Sequence, residues 1–471
     1  MLLTLIEIIR IRLSGLVHTT NFCIILKVSG VSIIKIMILR PKITFNTPTA
    51  LFDNSLLMRL PEKASLQIGL VKKVPSCVVS RCPDDVVYVL DGGALLQRLP
   101  WPNQTTYANL SSLYVQYVHR HYRHAVVVFD GYGSGPSTKD EAHQRRCMSN
   151  NIGAEVDFKP EMQLTMKKKA FLANPRNKQK FLYFIGSELE KAGVGLFHSS
   201  SDADYDIVST ACSIAKRRSV VVVGDDTDLL VLLLHHLSPE HHAIFLQTAS
   251  KILNTRILQD HLAPDLTASL LFLHAITGCD TTSRPFGIGK AMAMSKCHQL
   301  KDSASLFLKP NQTHDDVNKH GQSALEVLYN SKLGNSLDFE RAARFSSKVT
   351  SRLVYLPPES LPPTCDAAKY HCYRVYHQVQ TWLGNNLDPT KWGWLLHKSQ
   401  HGETLKPMRM QRDAAPASLL KLVKCNCHGK CDKNNCSCRK NGLMCTLACG
   451  LCKGVTCTNI EINSEELVVD E

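Results

Sequence analysis

The sequence lacks a long apolar run without charged residues. Within residues 1–39 no charge-free run reaches about 18 residues, the length at which a membrane-spanning helix becomes a candidate, so we expect no spanning helix there. The chain also lacks an internal repeat, and it contains no long basic run that would by itself demonstrate nuclear import.

The composition is that of a globular protein with an excess of basic residues. The 471 residues exceed one ordinary domain, so two or three units are expected, and 44% hydrophobic with 20% charged residues excludes a disordered chain. A net charge of +14 favours an acidic partner, with nucleic acid as the first candidate. Because many basic proteins bind no polyanion, charge alone is weak support for this partner.

The first 45 residues differ in character from the rest of the chain. Residues 1–39 are apolar with scattered basic residues, and Glu7 is their only acidic residue. This pattern fits a mitochondrial presequence, and it equally fits a non-native extension from a wrong gene model. We favour the extension and leave residues 1–45 out of the fold prediction. A mitochondrial location follows only if the segment is native.

Four short apolar runs lead into acidic residues. The runs and the aspartates that follow them are 86–90 with Asp91, 125–129 with Asp130, 194–197 with Asp202 and Asp204, and 219–224 with Asp225, Asp226 and Asp228. Such runs, separated by helix-like segments, are typical of buried parallel strands and predict an α/β fold. The carboxyl ends of parallel strands meet at one edge of the sheet, where the functional crevice lies. We therefore expect these carboxylates to be gathered at one place.

Gathered carboxylates repel one another, and a bound cation removes that repulsion. Oxygen ligands favour Mg²⁺ or Mn²⁺ over zinc, and a carboxylate-bound pair of such ions is a standard device for phosphodiester hydrolysis. The alternative is that each aspartate simply caps the helix after its strand. Capping explains one aspartate per strand but neither the pair Asp202 and Asp204 nor the pair Asp226 and Asp228.

The rest of the chain divides by composition. We predict an α/β domain over residues 46–298, a helical region over 299–400, a linker over 401–420, a cysteine-rich module over 421–460 and an acidic tail over 461–471. Residues 46–84 are expected to hold a loop or a short helix. In the helical region, an aromatic stripe at helical spacing predicts core packing rather than base stacking. The stripe comprises Tyr370, Tyr373, Tyr376 and Trp382.

Two passages resemble the flap endonuclease family of structure-specific nucleases, which has a PIN-like fold. The first is Val128-Phe129-Asp130-Gly131, followed by Lys139, Arg145 and Arg146. The second is Gly278-Cys279-Asp280, followed by Gly287, Gly289 and Lys290. In that family the second passage belongs to a helix–two-turn–helix element. The resemblance covers roughly residues 86–295, and the segment 131–175 departs from the family's basic gateway helices.

The resemblance implies a metal-dependent endo- or exonuclease in which seven carboxylates surround two Mg²⁺ or Mn²⁺ ions. The seven are Asp91, Asp130, Asp202, Asp204, Asp226, Asp228 and Asp280. Lys139, Arg145 and Arg146 would counter the developing phosphoryl charge; the alternative is plain phosphate binding or a solvated face. Gly287, Gly289 and Lys290 suit a close approach of the backbone to phosphates.

Nine cysteines lie close together near the end of the chain. They are Cys425, Cys427, Cys431, Cys436, Cys438, Cys445, Cys449, Cys452 and Cys457. One dense cluster in a long chain predicts a metal site in a reducing compartment rather than a disulfide scaffold. The spacing resembles the tesmin-type CXC domain, a DNA-binding zinc module, which implies three zinc ions with bridging thiolates; two separate four-cysteine sites are the alternative. Basic neighbours favour phosphate contact over a purely structural zinc knob, and among them are Lys430, Lys433, Arg439 and Lys440.

The chain as a whole resembles invertebrate proteins of mobile-element origin that join such a nuclease-like domain to a terminal cysteine module. We therefore predict a nuclease that acts on DNA, with RNA left open as a substrate, and a nuclear location because the module is expected to bind DNA. No membrane partner is expected. The competing hypothesis is a catalytically inactive DNA-binding or chromatin-associated protein that keeps the fold as a scaffold. The complete set of acidic positions favours the enzyme.

Overall fold

The computed structural model describes most of the chain between residues 49 and 412 and parts of the cysteine-rich segment. The described residues are 27–29, 31–33, 49–53, 55–131, 135–142, 145, 152–199, 203–331, 335–350, 358–399, 402–412, 425–428, 430–433, 435–440, 445, 449, 451–452 and 457–459. The predicted extension over 1–45 lies outside them, apart from a short antiparallel pair, β1 (Lys27–Ser29) with β2 (Val31–Ile33). The predicted acidic tail over 461–471 also lies outside them.

A seven-stranded, mostly parallel sheet forms the centre of the fold. Its strands are β3 (Val78–Val79), β4 (Val87–Asp91), β5 (Ala125–Phe129), β6 (Gly195–His198), β7 (Val220–Val223), β8 (Ile244–Gln247) and β9 (Ile252–Asn254). They lie in the order β3-β9-β8-β7-β4-β5-β6, in which the five strands from β8 to β6 are parallel. Strand β9 runs antiparallel to β8, and β3 runs antiparallel to β9. The predicted α/β class is confirmed.

The strand sequences account for the burial of the sheet. All four residues of β7 are buried valines, as expected for a strand that is covered on both faces. Val220 of β7 lies opposite Val87 of the neighbouring strand β4. On the other side of β4, Asp91 lies opposite Val128 of β5. Strand β4 therefore ends in an aspartate beside the end of β5, which is followed by Asp130.

Helices flank the sheet and continue beyond it. In chain order they are α1 (Ala64–Lys73), α2 (Gly92–Arg98), α3 (Tyr107–His121), α4 (Lys168–Ala173), α5 (Pro175–Lys191), α6 (Ala203–Ala215), α7 (Thr227–His236), α8 (Thr255–His261), α9 (Pro264–Ile276), α10 (Lys290–Ser295), α11 (Cys297–Leu308), α12 (His314–Leu328), α13 (Leu337–Thr350) and α14 (Cys365–Trp382). Side-chain caps define several starts. Thr106 Oγ1 accepts from Asn109 N at 3.1 Å at the start of α3, and Asn174 Oδ1 accepts from Arg176 N at 3.0 Å at the start of α5. Helix α1 is the short helix expected within residues 46–84.

Aromatic side chains form the core between the sheet and helices α3 to α5. Tyr114, Phe171 and Phe181 are completely or almost completely buried. The rings of Trp101 and Phe181 lie 5.0 Å apart in an edge-on arrangement, which suits the quadrupoles of aromatic rings. Trp101 Nε1 donates to Tyr114 Oη at 2.9 Å, so this polar group is satisfied inside the core. The core fixes the helices that follow β4 and precede β6.

The region predicted as helical contains helices α11 to α14, together with a β-hairpin that the sequence analysis missed. The aromatic stripe of α14 is buried, which confirms the prediction of core packing for Tyr370, Tyr373, Tyr376 and Trp382. The hairpin pairs β10 (Trp394–Ser399) with β11 (Gly402–Pro407) in antiparallel register, with Trp394 opposite Pro407. The predicted linker over 401–420 is therefore wrong at residues 402–407. The partner strand β10 supplies backbone hydrogen bonds that the polar composition of this stretch did not indicate.

The chain divides into two compact units. One comprises residues 57–330 and 368–408 and contains the seven-stranded sheet and the hairpin. The other comprises residues 1–56, 331–367 and 409–471. In this second unit Asp338 Oδ1 accepts from Cys365 N at 3.0 Å, and the Arg409 guanidinium lies 5.8 Å from the Phe52 ring. These units divide the chain at places other than the predicted boundaries.

The described cysteine-rich segment contains little regular structure. Its one described helix is α15 (Ser437–Lys440), and its core consists of cysteine side chains. Within the part of the chain that the structure describes, no helix combines the length and the apolar character needed to cross a membrane.

Candidate functional site

The aspartates at the ends of β4 and β5 lie together at the carboxyl edge of the sheet. Asp91 Oδ1 accepts from Gly93 N at 2.8 Å and from Ala94 N at 3.1 Å, so it caps α2. Gly93 lies against both carboxylates: a Cβ added there would lie 3.2 Å from Asp91 Oδ1 and 3.7 Å from Asp130 Oδ2. Asp130 Oδ1 accepts from Ala203 N at 3.2 Å, which ties the end of β5 to the start of α6.

The next acidic positions follow β6 and β7. Asp204 lies in the first turn of α6 and is 9% exposed, and Asp228 lies in the first turn of α7 and is 2% exposed. Asp226 caps α7 by accepting from Asp228 N at 3.0 Å. Asp202 lies outside the described residues. Asp91 and Asp226 therefore do cap the helices that follow their strands. Asp228 is an additional buried carboxylate, as the pair Asp226 and Asp228 in the sequence predicted.

Asp280 reaches the same edge from the turn after α9. Helix α9 ends at Ile276, and Gly278 then takes a φ of +104°, a backbone conformation that suits glycine. A Cβ at Gly278 would lie 2.9 Å from Arg284 N, so the chain has no room for a side chain here. This tight turn brings Asp280 to within 3.0 Å of an ammonium group that also contacts Asp226 and Asp228.

That ammonium belongs to Lys63, which the sequence analysis did not select. Lys63 Nζ lies 3.0 Å from Asp228 Oδ2, 3.0 Å from Asp280 Oδ1 and 3.1 Å from Asp226 Oδ2. A second lysine, Lys139, places its Nζ 3.3 Å from Asp204 Oδ2. The acidic site therefore holds two internal cations. No local pattern marks Lys63, because the residues that it contacts lie more than 160 positions away in the chain.

Burial and charge set the protonation of these carboxyls. Burial, together with the nearby Asp130, raises the pKa of Asp91 to about 6. Burial and the neighbouring Asp228 likewise raise the pKa of Asp226 to about 6. Burial also opposes ionisation of Asp228, but Lys63 and His274 outweigh it and hold the pKa of Asp228 well below its usual range. The site thus combines one firmly ionised carboxylate with two that hold protons more tightly.

His274 is a further residue of the site that the sequence analysis missed. Its ring is fully buried, with Nε2 2.7 Å from Asp228 Oδ1, and it stacks on Trp382 at 5.6 Å between ring centres. Burial lowers the pKa of His274 to about 4, so the ring is neutral near pH 7. Because an ionised carboxylate can only accept, Nε2 carries the proton and donates it to Asp228. The signal in the sequence was a lone histidine in the apolar run of α9, three residues before Thr277.

The predicted phosphate contact of Lys290 does not fit the structure. Lys290 is 2% exposed, and its Nζ donates to His274 O at 2.6 Å and to Gly278 O at 2.5 Å. Burial lowers the pKa of Lys290 to about 7. The ammonium satisfies backbone carbonyls near the end of α9, where the helix leaves acceptors without intrahelical partners. Of the two glycines predicted beside it, Gly287 is exposed with a φ of +75°, and Gly289 precedes α10.

The predicted basic residues after β5 are separated in the structure. Lys139 contacts the acidic site as described, whereas Arg145 donates through a terminal nitrogen to Met58 O at 2.8 Å. Arg145 lines a cavity of about 360 Å³ that also borders Glu141, Cys279 and Asp280. Arg146 lies outside the described residues. The structure therefore brings one of the three predicted cations to the carboxylates and another to the wall of a neighbouring cavity.

The acidic residues have the oxygen atoms that a divalent cation binds, although these atoms do not lie close enough together to form a complete coordination shell. Among the described residues, groups of potential ligand atoms that all lie within 4.8 Å of one another consist of cysteines. The carboxylate oxygens instead surround the Lys63 and Lys139 ammonium groups, which stand in for cations. All-oxygen, anionic donors are those that Mg²⁺ and Mn²⁺ prefer.

The cysteine module holds its sulfur atoms at distances that suit zinc. Three groups of four cysteines have their Sγ atoms within 4.8 Å of one another, and Cys445 belongs to all three groups. The groups are Cys425, Cys431, Cys436 and Cys445; Cys425, Cys445, Cys449 and Cys452; and Cys431, Cys445, Cys452 and Cys457. Individual Sγ pairs lie 3.5 to 3.8 Å apart. Four thiolates at about 2.3 Å from a tetrahedral zinc ion stand about 3.8 Å apart, so this cluster is able to bind metal.

The overlap between the three groups is relevant to the number of ions. Cys425, Cys431 and Cys452 each belong to two groups, and Cys445 belongs to all three. Shared cysteines are what bridging thiolates require, whereas two separate four-cysteine sites would share none. Cys438 Sγ lies 3.5 Å from Cys449 Sγ, and Cys427 packs against the cluster. The described basic residues of the module are exposed; they are Lys430, Lys433, Arg439 and Lys440.

Comparison with known proteins adds little to these observations. No protein-family model matches the sequence, and a search of curated proteins finds no match. Among solved structures, the T5 D15 protein, in a crystal structure with metal ions, aligns over 63% of this chain and 98% of its own. The sequence identity is 15% and the TM-score is 0.33. We therefore base the functional proposal on the side chains of the two sites.

Proposed function

We propose that this protein is a metal-dependent nuclease that hydrolyses phosphodiester bonds in DNA. The observation that carries the proposal is the convergence of six described aspartates from four strand ends and the α9 turn at one edge of the sheet. They are Asp91, Asp130, Asp204, Asp226, Asp228 and Asp280. So many carboxylates at one edge are costly without cations, and each is held by a defined backbone or side-chain contact.

The chain's own residues divide the work of the reaction. The aspartates would hold Mg²⁺ or Mn²⁺, which when bound supplies a more acidic water and neutralises charge on the phosphate. His274 donates to Asp228 and keeps its carboxylate ionised and oriented. Such buried hydrogen bonds to a ligand fix its direction toward the cation. Lys139 lies at the rim of the site, where its charge favours the approach of a phosphate.

The cysteine module supports DNA as the substrate. We propose that its thiolates bind zinc as a CXC-type cluster and that Lys430, Lys433 and Arg439 contact phosphates, since all three are exposed. Phosphate contacts of this kind bind without reading the base sequence. A nuclear location would follow from this role. RNA is the alternative substrate, because phosphate contacts do not distinguish the two nucleic acids.

The test is a cleavage assay with the full chain, purified with zinc, on labelled flap, duplex and single-stranded DNA and RNA in Mg²⁺ or Mn²⁺. We expect metal-dependent cleavage that the Asp226→Ala/Asp228→Ala double variant loses by about 10³-fold or more, since a metal site contributes several kcal/mol to the transition state.

Asp225→Ala is the matched control. Asp225 follows the same strand, but its carboxylate accepts from Ala249 N at 2.6 Å and is half exposed, so cleavage should persist. Binding without cleavage on every substrate, equal in the wild type and the double variant, would favour the competing hypothesis of an inactive DNA-binding or chromatin-associated scaffold.

A further inference from the structure

Lys63 occupies the centre of one half of the acidic site. Its Nζ lies 3.0 to 3.2 Å from four oxygen atoms on three aspartates, which places one positive charge where three negative charges meet. The Lys63 side chain is 16% exposed, and the side chain of Asp228 beside it is buried. An ammonium with three carboxylate partners in a buried place has the contacts expected of a bound cation.

The backbone that carries Lys63 is fixed by packing. Lys63 immediately precedes α1, whose Leu66 and Leu70 are buried at 1% and 0% exposure. Gly69 of the same helix lies so close to Met294 of α10 that a Cβ there would meet Met294 Cε at 2.4 Å. Helix α1 therefore has little freedom to shift, and the lysine is delivered to the carboxylates from a rigid support.

The segment before α1 is anchored as well. Arg284 N donates to Arg59 O at 3.0 Å, and the Arg284 guanidinium pairs with the carboxylate of Glu62. Arg284 belongs to the turn that also carries Asp280. Two residues that precede Lys63 are thus bound to the same turn that supplies one of its three carboxylate partners.

These contacts bear on how many divalent ions the nuclease proposed above uses. An ammonium at 3.0 Å from Asp228 and Asp280 takes the space of a divalent ion, whose oxygen ligands lie at about 2.0 to 2.2 Å. The two cations also repel each other, so both do not fit between the same carboxylates. Asp91, Asp130 and Asp204 are the described carboxylates outside the Lys63 contacts, and an ion bound beside them must displace the Lys139 ammonium, which lies 3.3 Å from Asp204 Oδ2.

We propose that Lys63 is the resident cation among Asp226, Asp228 and Asp280, and that the chain binds one divalent ion, beside Asp91, Asp130 and Asp204, where the sequence predicts two. This inference rests on the proposed nuclease function and changes its ion count. In the reaction Lys63 supplies, as a fixed charge, part of the neutralisation that a second ion would supply.

The test counts Mn²⁺ ions bound to the zinc-loaded full chain by electron paramagnetic resonance at saturating Mn²⁺. We expect one ion per chain in the wild type and two in Lys63→Met, which empties the position without adding a charge. Lys72→Met is the matched control, because Lys72 is exposed in the last turn of α1, and it should bind one ion. Lys63→Arg keeps a cation at this place and should also bind one.

Two bound ions in the wild type would overturn the inference and leave the proposed nuclease function standing. No bound ion in any of the variants would overturn both. If Lys63→Met does not fold, the wild-type count decides alone, since one ion supports the inference and two contradict it.

Discussion

The acidic site and the cysteine module both bring several potential metal ligands together, and they do so by different means. The aspartates stand at the ends of β4, β5 and β7 and in the α9 turn, on a scaffold whose buried valines and aromatic rings provide a core independent of any ion. The cysteine module has a four-residue helix and a core made of the ligands themselves. The comparison shows that the acidic site balances its charge with the chain's own lysines, whereas the cysteine module has a core of potential metal ligands, and we expect that module to depend on metal.

The two regions also differ in what fills the space between the ligands. In the acidic site the Lys63 ammonium, donated by the chain, lies among three carboxylates. In the cysteine module several pairs of sulfur atoms lie 3.5 to 3.8 Å apart. Thiolates at such distances would repel one another without a bound cation, so we expect the fold of this module to be linked to metal binding.

The largest expected effect is the loss of zinc from the cysteine module. Structural zinc contributes about 10–16 kcal/mol of binding free energy in small modules, so a strong chelator should unfold residues 425–457 and leave the sheet intact. Limited proteolysis followed by mass spectrometry should show new cleavage sites within that segment. Cys445→Ser should behave like chelation, because Cys445 belongs to all three sulfur groups.

Cys212→Ser is the control for that experiment, since Cys212 lies in α6 and outside the cluster. It should leave the protease pattern unchanged. If the chelated module resists the protease as well as the zinc-loaded form does, the proposed dependence of its fold on metal is wrong.

A smaller effect is expected from His274→Ala in the acidic site. Removing a buried hydrogen-bond partner of a metal ligand typically lowers metal affinity about 10- to 100-fold, and His274 is the buried partner of Asp228, which becomes available to the second ion in Lys63→Met. Calorimetric titration of Lys63→Met with Mn²⁺, with and without His274→Ala, would measure the change for that ion. His235→Ala serves as the comparison, because His235 lies at the end of α7 away from the start that carries Asp228. An unchanged affinity in His274→Ala would show that the histidine does not position this carboxylate.

The affinity for the metal ion should change about tenfold between pH 7 and pH 5. Burial raises the pKa of Asp91 to about 6, so this carboxyl is ionised above pH 6 and protonated below it. A cation must displace the proton, and its affinity is therefore retained at pH 7 and falls about tenfold between pH 7 and pH 5. Mn²⁺ titrations at the two pH values check the sign. Asp91→Asn should bind weakly and lose this dependence, and affinity that rises on acidification would contradict the assignment.

The smallest effect is expected at the exposed charges of the cysteine module. If Lys433 and Lys440 each neutralise one phosphate, the slope of log K against log salt for DNA binding should decrease by roughly 0.9 for each substitution to Gln. Lys191→Gln, at an exposed position of α5, should leave the slope unchanged. Equal slopes in all variants would show that these two lysines do not contact the phosphate backbone.

The sequence was most informative where its pattern reflects burial. The valine runs predicted the parallel strands because a covered strand excludes polar residues on both faces, and the aspartates after them marked the shared edge. The density of the cysteines predicted a metal-binding cluster because one dense cysteine cluster in a long chain is typical of a metal site rather than of a disulfide scaffold. Both inferences depend on local composition.

Local sequence patterns did not predict the contacts between segments that are distant in the chain. Lys63 looked like any solvated lysine, and only the packing of α1 places it against Asp226 and Asp228. Lys290 was expected to contact phosphate because it follows Gly289, but its Nζ donates to backbone carbonyls near the end of α9 instead. The hairpin of β10 and β11 was missed because each strand carries polar residues and receives its backbone hydrogen bonds from the other strand.

The most direct test of the central claim is a crystal of the zinc-loaded full chain soaked in Mn²⁺, with anomalous diffraction collected at the manganese edge. We predict a manganese peak among the carboxylates of Asp91, Asp130 and Asp204, with zinc peaks in the cysteine module as an internal standard. Zinc peaks without any manganese at the acidic edge of the sheet would contradict the claim that this edge is the metal site of a nuclease.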